Sequence, residues 1–74
     1  MEVKIGIQSA PRELVLDTNE QAAEIERALR EAVEGSAVFA LTDDKGGRIL
    51  VPADKIAYVE FGGTEPRRVG FSNL

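Results

Sequence analysis

The chain predicts an α+β domain of order ββαβββ, with one helix packed on one face of a mostly antiparallel sheet. Three observations carry that expectation. Apolar and polar residues alternate strictly at the start, one central stretch has helical periodicity with its own start and stop signals, and period two returns after it.

Val3, Ile5 and Ile7 alternate with Lys4, Gly6 and Gln8, as in a strand with one wet face. Ser9-Ala10-Pro11 interrupts the pattern, and Pro11, lacking an amide hydrogen, suits a connection. Leu14 and Leu16 then face one way and Glu13, Val15 and Asp17 the other, so residues 2–17 read as a β-hairpin with a loose turn. Thr18 is expected to cap the helix: its hydroxyl accepts the Gln21 amide while Gln21 reaches back, a capping box. Glu20 favours the positive end of the helix dipole. Ala22, Ile25, Ala28, Leu29, Ala32 and Val33 share one arc, with Glu20, Glu24, Arg27, Glu31 and Glu34 opposite. The spacings Glu26–Arg30 and Arg27–Glu31 support an exposed helical face. Gly35 is expected to close the helix in a left-handed conformation.

Residues 37–42 read as a strand, Asp43-Asp44-Lys45-Gly46-Gly47 as a turn, and residues 48–51 as its antiparallel partner. Pro52-Ala53-Asp54 punctuates the chain before a further strand over 56–61. Residues 61–74 are either an extended tail or a last strand of the same single domain, 1–74.

The later strands carry apolar groups on both faces: Val38 and Ala40 against Phe39 and Leu41, Leu50 against Ile49 and Val51, Ile56 and Tyr58 against Val59 and Phe61. One helix shields one face, so the other needs cover. A contact surface is therefore expected on the sheet face away from the helix, using Val38, Ile56 and Tyr58, with Arg67, Arg68 and Phe71 at its margin. Val69 and Phe71 of the tail and a second copy of the chain are both expected to contribute that cover, making a homo-oligomer, and the surface is also open to a protein partner.

Composition narrows the chemistry. Among 74 residues there is no histidine, cysteine or tryptophan, which removes disulfides, Cys/His zinc sites, the usual general base and the best base-stacking ring. Thirteen acidic residues against nine basic give a net charge of −4, unfavourable for broad contact with phosphate backbones. Apolar runs of four or five residues are too short for a membrane span, and Met1-Glu2-Val3-Lys4-Ile5 enters a strand directly, without a secretory leader; a cytoplasmic setting is expected.

Gly46-Gly47 and Gly62-Gly63 lack the strand–loop–helix context of a phosphate cradle, and Asp43, Asp44 and Asp54 lack the spacing of a calcium loop. Thr18, Ser9, Ser36, Ser72, Tyr58, Lys4, Lys45 and Lys55 have no histidine to activate them. A non-enzymatic protein with no cofactor is expected. Arg67-Arg68, the one adjacent basic pair, suits carboxylate or phosphate oxygens. The rival readings are a nucleic-acid module gripping phosphates with Arg67, Arg68, Arg48 and Lys4, and a nucleotide binder with a pocket between helix and sheet.

Met1-Glu2-Val3-Lys4-Ile5-Gly6-Ile7, Pro11-Arg12-Glu13-Leu14, Ile56-Ala57-Tyr58-Val59-Glu60 and the closing Arg67-Arg68-Val69-Gly70-Phe71 together resemble a family of short actinobacterial proteins. The family is known as a domain of unknown function, number thirty-one zero seven. The resemblance spans nearly the whole chain. It implies a source class and a cytoplasmic setting, brings no activity with it, and gives the Arg67-Arg68 pair more weight than casual surface charge.

Overall fold

The computed structural model describes residues 1–62 and 67–70, with Arg67 and Arg68 in backbone only. The elements are β1 (Glu2–Ile7), β2 (Glu13–Asp17), α1 (Ala22–Glu34), β3 (Val38–Thr42), β4 (Arg48–Pro52), a single 3-10 turn (Ala53–Lys55), β5 (Ile56–Phe61) and β6 (Arg67–Gly70). This is the expected ββαβββ order and the expected α+β class. The strands divide into two sheets, one four-stranded in the order β2-β1-β5-β6 and one two-stranded, β3-β4. All the pairings are antiparallel.

The two sheets and the helix share one core. Val3 and Ile5 of β1 stand opposite Phe61 and Val59 of β5, so these four side chains project from the same side of the larger sheet. Ile25, Leu29 and Ala32 of α1 and Phe39, Leu41 and Val51 of the β3–β4 hairpin join them in one buried cluster. The helix is therefore not the sole cover: the hairpin supplies the rest. Burying each large side chain contributes about 1.5–3 kcal/mol. The alanines of the α1 stripe keep the helix close, and Ala22, Ala28 and Val33 pack at the cluster's edge.

Two end signals work differently from the sequence expectation. Thr18 does not cap α1, whose N-cap is Gln21 with no side-chain cap bond. Thr18 is buried, its Oγ1 donates to the Thr42 carbonyl at 2.6 Å, and the same oxygen accepts the Glu20 amide at 3.1 Å. Glu20 Oε2 in turn accepts the Thr42 amide at 2.9 Å. Two side chains thus satisfy both backbone groups of one β3 residue, as a neighbouring strand would. A buried hydroxyl finds more in a long-range carbonyl than in a cap that water could replace.

At the other end the left-handed residue is Ser36, with φ 52, while Gly35 has φ −92. The Ala37 amide donates to the Ala32 carbonyl at 2.8 Å and the Ser36 amide to Val33 at 3.3 Å. This is the Schellman bond pair, displaced one residue beyond the glycine. The Asp43–Gly47 turn behaves as the sequence predicts: Asp43 Oδ1 accepts the amides of Lys45 (2.9 Å) and Gly47 (2.8 Å), and Gly46 takes φ 88. On the helix, Glu26 and Arg30 form the predicted ion pair at 2.8 Å.

Candidate functional site

The molecule offers two sheet exteriors. On the four-stranded sheet, Lys4 stands between Val15 and Glu60, and Gly6 between Glu13 and Tyr58. These residues alternate with the core-facing Val3 and Ile5, so they line the outer face. Gly6 is there because the Tyr58 ring lies across it. A Cβ at position 6 would overlap the ring, 2.7 Å from Cδ2. The ring covers the glycine and its hydroxyl donates to Glu13 Oε2, so Tyr58 bridges from β5 across β1 to β2. An aromatic laid over a strand glycine seals a sheet surface in this way. Around the ring this face is charged and bridged, while Val15 at the β2 edge is left exposed.

The expected contact residues are consequently scattered. Ile56 is 1% exposed and belongs to the core. The physical reason is a bulge between Gly6 and Ile7, where the β1–β5 register steps from Gly6↔Tyr58 to Ile7↔Ile56. The extra residue, Ala57, turns Ile56 to the opposite side from Tyr58. Tyr58 lies on the outer face of the larger sheet, while Val38 belongs to the smaller sheet. Arg67 and Arg68 lie on β6, opposite Phe61 and Glu60 in register, so this stretch is a strand. Phe71 lies outside the described residues. Lys4 and Arg48, invoked for a nucleic-acid surface, stand on different sheets.

The outer face of the hairpin has the opposite character. Val38 pairs with Pro52, Ala40 with Leu50, and Thr42 with Arg48, each couple on the side away from Phe39, Leu41 and Val51. Val38 is 52% exposed and Leu50 61%. Beside them, between α1 and the outer side of β3, runs an open groove of about 300 Å³ lined by Ala28, Glu31, Ala32, Ala37, Val38 and Ala40. The small side chains make it a hollow, and Leu50, opposite Ala40 on the next strand, stands as a ridge next to it. Glu31 bounds the surface on the helix side and Arg48 one corner on the β4 side. Pro52 sits on this strand at no cost in ladder bonds because, among the described residues, β4 has one neighbour.

Of the residues forming this surface, the sequence marks Val38 for protein contact and Arg48 only for the rival phosphate contact. The signal for Leu50 was present in its alternation with Ile49 and Val51. Ala28 and Ala32 read only as core, since nothing local shows that a helix stripe reaches an exterior groove.

No curated protein matches the chain. Its residues 1–72, which carry both of these sheets and the helix, match the family model described as "Protein of unknown function (DUF3107)", and the chain belongs to that family.

Proposed function

We propose that the chain is a non-catalytic cytoplasmic module for protein–protein contact, and that it docks through the outer face of the β3–β4 hairpin. The observation that carries this reading is the adjacency of Val38 and Leu50, both more than half exposed, to an alanine-lined hollow. Isolated surface apolar residues are ordinary, whereas a contiguous ridge and hollow edged by charges has the form of a recognition surface. Val15 supplies the internal contrast. It is 55% exposed on β2, where its cross-strand neighbour is the charged Lys4, itself opposite Glu60.

A photo-reactive residue placed at position 50 and, separately, at position 15 tests the reading in living cells. Adducts specific to position 50 are expected. Equal labelling at both positions, or none at 50, overturns it.

A further inference from the structure

We infer that the occupant of the hairpin's outer face is a second copy of the same chain, seated about an oblique twofold axis that passes over Ala40. This rests on that face being the docking surface. A twofold contact uses one patch against itself, so the patch must hold both a projection and a recess, and both signs of charge. This one does. Leu50 is the projection, and the groove lined by Ala28, Ala32, Ala37, Val38 and Ala40 is the recess one strand away. Arg48 and Glu31 sit at opposite corners, Arg48 at the Thr42 end of β4 and Glu31 on the helix flank of the groove.

The helix runs antiparallel to β3: Glu20, just before its start, bonds Thr42, and its last turn leads through Ala37 into Val38. With this layout the oblique axis sets Leu50 of one copy on Val38 and the adjoining alanines of the other. The same rotation brings Arg48 to the Glu31 of its mate, and each pair occurs twice. Other edges are less suited. A symmetric contact through the helix rim alone would set Glu31 against Glu31. On the larger sheet's outer face, the Tyr58 ring is already laid over Gly6 and bonded to Glu13. The patch is small, so the dimer is weak and concentration-dependent, and its association is sensitive to salt.

Sedimentation equilibrium of the full chain from 10 µM to 1 mM tests this directly. We expect reversible dimerisation, abolished by Leu50→Glu and weakened about tenfold by either Arg48→Glu or Glu31→Arg. The chain carrying both Arg48→Glu and Glu31→Arg regains association, because each pair is then reversed and intact. Circular dichroism of every variant matches the parent, as all three residues are at the surface. A chain that stays monomeric at 1 mM overturns the inference, as does association indifferent to Leu50→Glu or a double variant no better than the singles. If a monomeric chain still forms position-50 adducts with a different protein, the second-copy assignment fails while the docking surface stands. If neither appears, both fail.

Discussion

The outer surfaces of the two sheets are built from similarly alternating strands and end up opposite in character. On the larger sheet, the exterior aromatic, Tyr58, is consumed internally: its ring lies on Gly6 and its hydroxyl is bonded to Glu13. On the hairpin, Val38 stands opposite Pro52 and Leu50 opposite Ala40, neither is covered by a neighbouring ring, and they stay bare. The difference teaches that counting apolar residues on a face does not measure how sticky the face is. What matters is whether a neighbouring strand presents a glycine for a ring to cover and a polar group for its edge.

The strongest way to break this comparison is to put a charge at each of the two positions that alternation alone would call exterior. Ile56→Glu buries a carboxylate in the shared core and is expected to cost about 4 kcal/mol or more, enough to unfold a domain of this size. Leu50→Glu is expected to stay within about 0.5 kcal/mol of the parent. Urea unfolding followed by circular dichroism separates the two; comparable losses would mean the faces are wrongly assigned.

A smaller effect sharpens the sealed side. Gly6→Ala pushes a methyl into the Tyr58 ring and is expected to cost about 2 kcal/mol, within the range for overpacking. Adding Tyr58→Ala removes the clash, so the two losses should sum to less than additive. Strict additivity in a double-mutant cycle would show that the ring does not rest on the glycine.

The smallest change sits next to the open side, where Ser36 leads from α1 toward β3. Ser36→Gly relieves a left-handed backbone that favours glycine, partly offset by the freedom glycine gains when unfolded. A net gain of about 0.5–1 kcal/mol is expected, a rise of roughly 4 °C in the melting midpoint. An unchanged or lower midpoint would contradict the closing geometry of the helix.

Much of this architecture was legible locally. The β1–β2 hairpin, the apolar stripe of α1 and the Asp43–Gly47 turn each depend on residues a few positions apart, and each stands where its pattern places it. The departures come from long range. Thr18 has the residue type of a cap, but its partner, Thr42, is twenty-four positions away. Ile56 shares alternation with Tyr58 until the bulge opposite Gly6 and Ile7 turns it over, and no local signal marks that step. The division into two sheets follows from β5 choosing β1 over β4, a choice made by the core as a whole. The contact surface was correspondingly half visible: Val38 could be picked from its strand, but the hollow beside it exists only once α1 is docked.

The bonds from Thr18 and Glu20 to Thr42 have a consequence for how the molecule comes apart. Among the described residues the two sheets share no ladder, and a fold so divided could open in halves, the hairpin peeling away while the larger sheet persists. Here the segment leaving β2 holds the end of β3 through a hydroxyl and a carboxylate, and the Asp44 amide donates to the Asp17 carbonyl at 2.9 Å. Loosening the hairpin strips buried groups on the other side of the junction, so both parts are expected to yield at a common threshold, with the Thr42 amide exchanging its hydrogen as slowly as those of β1 in native-state hydrogen exchange.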